Sequence, residues 1–279
     1  MSRAMFSTSY SAAKAPNGGA QGLLSGERQA ANVCAAILAE DIGYMTKIAV
    51  SQHFSAGQTL LNEGEPASRF AIIGEGAVKI YKLMLDGRRQ ITGFLFAGDL
   101  LGLTFAPDYS YSAEALGEVR LHRLPRQQFE RLLDERPAMA RHFLALASTE
   151  LAAAQTQMVL LGRKSADEKI ASFVLMLSDR ELSRDRNGRT IDLPMTRTDI
   201  ADYLGLTTET VSRTFTRLKN RGWIALETAG LITILDRDAL ANLAEGGDMP
   251  ETGGRVFASP GFGARPILRS SHRHEVRAA

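Results

Sequence analysis

Residues 195–213 read MTRTDIADYLGLTTETVSR, and this stretch contains the start and end signals of a short helix. Thr196, followed three residues later by Asp199, is typical of a helix N-terminus, because the two side chains can satisfy the first free backbone N–H groups. Gly205 is a suitable end, since glycine readily adopts left-handed backbone angles. The residues expected to face inward are Ile200, Tyr203 and Leu204.

A second helix is predicted over residues 208–221, with Thr207 as its N-cap. Its apolar residues, Val211, Phe215 and Leu218, are spaced by four and three. Two short helices joined by a tight glycine turn form a helix-turn-helix. Residues 224–226 and 231–235 are then predicted to pair as a hairpin, the wing of a winged helix.

The second helix carries a basic outer face, since residues 207–223 contain four basic side chains and one acidic one. Glu209, Ser212 and Arg213 stand at i, i+3 and i+4, so they share one face near the helix N-terminus. Arg213 can donate two hydrogen bonds to guanine, Glu209 can accept one from cytosine, and Ser212 can adapt to either partner. We therefore predict that this helix reads base edges in the DNA major groove, the alternative being an ordinary solvated Glu–Arg pair. The side chains predicted to contact the DNA backbone or to support the contact are Thr196, Thr198, Thr207, Thr208, Thr210, Arg217 and Lys219.

A long helix is predicted from Pro137, which is tolerated in the first turn, to an end at Gly162. Apolar residues recur along it at alternating steps of four and three, the spacing that keeps one stripe towards a partner helix. The stripe predicts self-association, with packing on the β domain of the same chain as the alternative. The seam residues that follow Ala140 are Leu144, Ala147, Leu151, Ala154, Met158 and Leu161. After this helix, Ser165 and Glu168 have the spacing of a capping box, which predicts the start of another helix.

The first half of the chain predicts many short antiparallel strands. Residues 27–50 are expected to be helical, and between Ile48 and Arg123 short runs are separated by turn residues about every ten positions. Residues 78–83 alternate, and Asp86-Gly87 is a strong hairpin turn. The pattern indicates a barrel or jelly roll, whose interior is either filled by side chains or holds a small ligand. The glycines assigned to turns are Gly57, Gly64, Gly74, Gly76, Gly87, Gly93 and Gly98.

Length and composition exclude several classes of protein. The chain has 279 residues and a formal net charge of +2, which fits two domains of ordinary globular composition. No apolar run reaches the roughly 20 residues of a membrane span. A single cysteine, Cys34, excludes an internal disulfide and a four-cysteine cluster. The sequence contains no P-loop, no GxSxG and no HExxH motif, so we do not expect an enzyme.

The predicted organisation is α+β with five segments. Residues 1–26 form a disordered tail, whose serine-rich, acid-poor start also has the character of an organelle transit peptide. Residues 27–135 form the β domain, 136–162 the long helix, and 163–245 the winged helix-turn-helix. Residues 246–279, interrupted by glycine and proline and rich in arginine, form a flexible C-terminal tail.

Three stretches resemble the CRP/FNR family of transcription regulators: residues 74–79, residues 90–102 and residues 195–213. The resemblance covers about residues 36–245 and implies a jelly roll of the cyclic-nucleotide-binding type ahead of the dimerisation helix. The Glu-x-x-Ser-Arg face is similar to that of the FNR/FixK branch, which implies palindromic sites with TTGA half-sites. In the CRP branch the position of Ser212 is usually glycine.

The departures from the family pattern lie at the positions that bind a cofactor or a cyclic nucleotide in other branches of the family. FNR proteins hold an iron–sulfur cluster on four cysteines, whereas this chain has only Cys34 and carries His122 at the β-domain position. The CRP branch holds ribose and phosphate with Glu and Arg-Ser, whereas this chain has residues 102–104, Gly-Leu-Thr, and 111–113, Tyr-Ser-Ala. The resemblance that remains is to the FixK type, which implies no cofactor and no metal.

The resemblance implies a cytoplasmic homodimeric activator that contacts RNA polymerase through β-domain loops such as 106–111. Its genes would serve low-oxygen or nitrogen-related metabolism. The alternative is a ligand-gated regulator of the CRP type whose β domain binds haem or another small effector. His122 is then a candidate haem ligand rather than an ordinary strand residue beside Arg120, and Cys34 a candidate redox thiol rather than an inert buried one.

Overall fold

The computed structural model describes Met45 and residues 49–104, 106–182, 188–227 and 230–247. Cys34, the N-terminal tail, nearly all of the predicted helix over 27–50 and almost the whole C-terminal tail lie outside the described residues. In the described part of the chain, no helix is both long enough and apolar enough to cross a membrane.

Eight strands form two four-stranded antiparallel sheets, which confirms the predicted jelly roll. One sheet has the order β1-β8-β3-β6 and the other the order β2-β7-β4-β5. Apolar side chains from both sheets fill the space between them, including Ile73, Val78, Leu101, Ala113 and Leu121. The strands are β1 Val50–Phe54, β2 Thr59–Leu61, β3 Arg69–Glu75, β4 Ala77–Leu83, β5 Arg89–Phe96, β6 Leu100–Leu101, β7 Ser112–Ala115 and β8 Val119–Pro125.

The glycine assignments are correct at five of seven positions: Gly57, Gly64, Gly76, Gly87 and Gly98 have positive φ at turns. Gly74 and Gly93 are exceptions, because they lie inside β3 and β5. A Cβ added to Gly74 would stand 2.7 Å from Nε2 of His122, and one added to Gly93 would stand 3.3 Å from the side chain of Ile80. These two glycines therefore allow side chains of the neighbouring strands to approach the backbone closely, and they do not form turns.

The alternation predicted along residues 78–83 fails at both ends of β4. Lys79 is buried, with 6% of its surface exposed, whereas Leu83 is 61% exposed. Lys79 is buried because a helix of the C-terminal domain covers it and supplies a carboxylate, as described below. Leu83 is exposed because β4 extends beyond the covered part of the sheet into the hairpin that turns at Gly87.

Two helices follow the roll, α1 Arg126–Glu135 and α2 Pro137–Arg163. Pro137 occupies the first turn of α2 as predicted, but Gly162 lies inside the helix, which continues one residue further. Met139, Phe143 and Leu146 pack in one cluster with Phe70 and Leu124 of the roll, and the rings of Phe143 and of Phe129 in α1 are 4.8 Å apart. This apolar face joins α2 to the β domain of its own chain.

The C-terminal part contains helices α3 Ala166–Leu182, α4 Arg197–Leu204, α5 Thr208–Asn220 and α6 Arg237–Ala244. The predicted capping box before α3 is confirmed, since the Ser165 amide donates to Glu168 and the Glu168 amide to Ser165 Oγ. The predicted wing is also confirmed, as β10 Ile224–Leu226 pairs with β11 Leu231–Ile234. A third strand, β9 Thr190–Asp192, pairs with β11 and was not predicted, because its three residues lie between a polar loop and the next helix.

Candidate nucleic-acid interface

Reciprocal hydrogen bonds between Thr196 and Asp199 fix the start of α4. The Asp199 amide donates to Thr196 Oγ1 at 3.1 Å, and the Thr196 amide donates to Asp199 Oδ2 at 3.0 Å. Gly205 ends the helix with φ at +62°, a left-handed conformation that directs the chain into the next helix. Both predicted signals are therefore present, and together they set the angle between α4 and α5.

Thr207 is the N-cap of α5, as predicted, because its Oγ1 accepts a hydrogen bond from the amide of Thr210 at 3.1 Å. Val211, Phe215 and Leu218 are buried, together with Thr214. Since these residues occupy one side of the helix, the residues between them form an outer face that points into solvent. The helix ends at Asn220, one residue earlier than predicted.

The outer face of α5 presents the three predicted base-contacting residues close to the helix N-terminus. The side chains of Glu209 and Arg213 are 69% and 75% exposed and form an ion pair of 2.5 Å. Ser212 is exposed, and its hydroxyl donates to the Thr208 carbonyl at 2.9 Å. Glu209 and Arg213 are thus paired with each other at the accessible surface. Such exposed pairs stabilise the chain little and exchange readily for other partners.

The supporting residues divide into three groups. Thr196, Thr207 and Thr210 have their hydroxyls engaged at the helix starts, whereas Thr198, Thr208 and Lys219 are exposed. Arg217 is tied to the protein itself, because its guanidinium pairs with Asp167 at the start of α3 and donates to Thr214 Oγ1.

Sequence reasoning missed Arg197, whose guanidinium lies 3.8 Å from the centre of the Phe215 ring. Burial lowers the pKa of this guanidinium. The contact joins the first residue of α4 to the buried face of α5, so a cation–π interaction helps to hold the two helices together. No local spacing indicates it, because the two residues belong to different helices.

The predicted seam of α2 is largely exposed, whereas the face that packs on the roll is buried. Leu144, Leu151 and Met158 are 69%, 61% and 70% exposed. Ala147 and Ala154 are exposed and Leu161 is partly exposed. The alternative, in which this stripe packs on the β domain of its own chain, is therefore wrong, since Met139, Phe143 and Leu146 perform that role.

His122 lies in β8, where its Nδ1 is 2.9 Å from Ser51 Oγ and its Nε2 faces Gly74. Burial and the neighbouring Arg120 lower its pKa. Both ring nitrogens thus lie against the protein's own atoms. Within the described ranges, no group of three or more His, Cys, Asp or Glu side chains is arranged to hold a metal ion.

Two tyrosines occupy the region where the CRP pattern would place its ribose and phosphate partners. The Gly102 amide donates to the Tyr111 hydroxyl at 2.9 Å, and the Tyr109 hydroxyl donates to the Arg69 carbonyl. Burial raises the pKa of Tyr111. A neighbouring cleft between Phe70, Gly102 and Arg126 has room for about one water molecule.

Comparison with known proteins gives matches along most of the chain. Residues 51–136 match the model of the cyclic nucleotide-binding domain, and residues 168–243 match that of the Crp-like helix-turn-helix domain. The nitrogen fixation regulation protein FixK of Bradyrhizobium diazoefficiens is 43% identical over 212 residues, which cover 76% of this chain and 89% of that protein. The transcriptional activatory protein AadR of Rhodopseudomonas palustris is 43% identical, covering 69% of this chain and 82% of the relative. The solved structure of FixK2 from Bradyrhizobium japonicum superposes with a TM-score of 0.67 at 36% identity, covering 70% of this chain and 97% of that one.

Proposed function

The chain belongs to the CRP/FNR family of DNA-binding transcription regulators, in its FixK-like branch, and we propose that it is a homodimeric activator that binds TTGA-type palindromes. Its relatives are transcriptional activators, so this chain is a regulator and not an enzyme. The proposal assigns residues 27–135 to the β-roll domain, 136–162 to the dimerisation helix and 163–245 to DNA binding.

The observation that carries the proposal is the exposed face of α5. Arg213 has the reach and the paired donors to bind guanine O6 and N7, and Glu209 can accept from cytosine N4. A TTGA half-site offers one guanine, whose partner strand supplies the cytosine. Both side chains are accessible at the helix N-terminus, the end that enters the major groove in a helix-turn-helix. Ser212 completes the face.

Contacts to the DNA backbone are assigned to side chains around this face. Thr198, Thr208 and Lys219 are exposed beside it and can reach phosphates directly. Thr196, Thr207 and Thr210 hold the helix starts, and Arg217 supports α5 through its pair with Asp167. These residues set the register of the protein on DNA and do not select its sequence.

The dimer part of the proposal depends on the exposed seam of α2. Two copies of this stripe, packed about a two-fold axis, would bury the leucines and Met158 against their counterparts. Two recognition helices held in this way enter successive major grooves about 34 Å apart, which matches a palindromic site. Activation would then use β-roll loops, including residues 106–111, against RNA polymerase. The relatives named as nitrogen fixation regulators support target genes of nitrogen or low-oxygen metabolism.

The substitution Arg213→Ala tests the assignment of the recognition face. Loss of one good base contact costs about 1–3 kcal/mol in each half-site, so we expect specific binding of a TTGA-N6-TCAA duplex to disappear in a mobility-shift assay, with the dimer intact. Arg88→Ala is the matched control, because Arg88 also forms an exposed pair, with Asp86 at 2.7 Å, on the β-roll. Unchanged binding by Arg213→Ala would refute the assignment.

The second candidate, a regulator gated by haem or another small effector, is favoured by the match of residues 51–136 to the cyclic nucleotide-binding domain model. Against it stand the filled interior of the roll and the tyrosine hydrogen bonds beside Gly102. An absorbance spectrum of the purified protein tests the haem case. DNA-binding assays with and without air test whether the protein depends on an iron–sulfur cluster. We expect equal affinities for DNA under the two conditions.

A further inference from the structure

A cluster of charges, buried at Lys79 and Asp199 and partly exposed at its edge, joins the β-roll to the first helix of the helix-turn-helix. The Lys79 ammonium in β4 lies 3.0 Å from Asp199 Oδ1 in α4 and 2.8 Å from Glu114 Oε1 in β7. The Arg89 guanidinium in β5 lies 3.5 Å from the carboxylates of both Asp199 and Asp202. Two cations of the roll thus face two carboxylates of α4, and Glu114 of the roll is a third carboxylate beside them.

The two carboxylate oxygens of Asp199 bind different partners. Oδ2 accepts hydrogen bonds from the amide and the hydroxyl of Thr196, at 3.0 and 2.6 Å, and so caps α4. Oδ1 accepts from Lys79. Burial by itself raises the pKa of Asp199, but the bonds from Thr196 and Lys79 outweigh it, and the pKa is lowered. Asp199 therefore both caps α4 and connects this helix to the roll.

The same face of α4 contacts the roll again one turn later. Gln90 in β5 donates to the Asp202 carbonyl at 2.6 Å, and the Phe94 ring lies 5.2 Å from the Tyr203 ring. The Tyr203 hydroxyl in turn donates to Gln157 of α2 at 3.0 Å. Helix α4 is thus held by both the roll and the long helix, while its other side supports α5.

We propose that Lys79 and Arg89, both in the β-roll, are positioning residues for DNA recognition, which set the orientation of the helix-turn-helix relative to the dimerisation helix. The inference rests on the proposed homodimer. A charge cluster with a buried centre, here Lys79 and Asp199, is a demanding contact, because each buried charge must keep its partner in good geometry. It therefore selects one arrangement of the two domains. One arrangement per protomer means one distance between the two recognition helices, and hence one preferred spacing of half-sites.

The experiment measures spacing selectivity, defined as the ratio of the Kd for a TTGA-N8-TCAA duplex to the Kd for a TTGA-N6-TCAA duplex. The full chain is compared with Lys79→Met and Arg89→Gln by fluorescence anisotropy. We expect both variants to lower the ratio by at least about fivefold, the scale of an ordinary coupling between sites, with binding of a single half-site unchanged. A partly unfolded sample weakens binding to both duplexes by the same factor, so a merely structural defect leaves the ratio unchanged.

Lys82→Met is the matched control, because Lys82 lies in the same strand but pairs with Glu63 of the roll and not with a carboxylate of α4. It should retain the ratio of the unsubstituted chain. If Lys79→Met does not fold, Arg89→Gln decides alone. A ratio unchanged in the folded variants overturns the inference, whereas failure of the unsubstituted chain to distinguish the TTGA palindrome from a scrambled duplex overturns the proposed function instead.

Discussion

Replacing Leu151 with serine should weaken the homodimer by an amount that follows from the exposure of this side chain. Full burial of a leucine side chain stabilises a structure by about 1.5–3 kcal/mol. Because 61% of Leu151 remains exposed in one protomer, its burial in the seam would contribute about 1–2 kcal/mol. Because a two-fold axis places each residue in the interface twice, the free energy of dimerisation should become less favourable by about 2–4 kcal/mol. This raises the dimer Kd by about 30- to 700-fold.

The assay is sedimentation equilibrium over a range of protein concentrations, with the Kd taken from the monomer–dimer curve. Val50→Ser is the control, because Val50 is 62% exposed on β1, outside the seam, and its loss should leave the Kd unchanged. Circular dichroism checks that both variants are folded. An equal Kd for Leu151→Ser and the unsubstituted chain, at concentrations where both species are present, would show that the stripe is not the dimer interface.

Two further predictions concern the helix-turn-helix. Gly205→Ala should lower the stability by about 1–2 kcal/mol, because φ is +62° while the nearest atom to an added Cβ is 3.8 Å away, so the cost is conformational and not steric. Thermal melting measures it, and Gly205→Asn should lose less, since asparagine tolerates this conformation better. Because the folded state lowers the pKa of Asp199, this carboxylate stabilises the fold above its unfolded pKa of about 3.9 and ceases to do so as the pH falls through the lower folded value. The melting temperature should therefore fall with acidification more steeply in the unsubstituted chain than in Asp199→Asn, and parallel curves would contradict this.

The elements that sequence reasoning located are those with local signals. The capping pairs at Ser165 and Thr196, the left-handed Gly205 and the N-cap Thr207 all act within four residues, so their spacing in the chain is also their spacing in space. The same reasoning wrongly assigned Gly74 and Gly93 to turns. Glycine occurs both in turns and where neighbouring strands leave no room for a Cβ, and only the position of the neighbouring strand distinguishes these two cases. Strand β9 was missed since three residues carry too little periodicity to indicate a strand.

The amino-acid sequence by itself determined the family, the order of the main segments and the candidate face of α5, because amphipathic spacing and capping are properties of neighbouring residues. Tertiary structure alone decided that Lys79 is buried against Asp199, that Arg217 pairs with Asp167, and that Arg197 stacks on Phe215. Each of these contacts joins residues of different elements, up to 120 positions apart. The sequence does not show whether a charged side chain will be solvated by water or paired with a distant carboxylate, because this depends on how the domains pack.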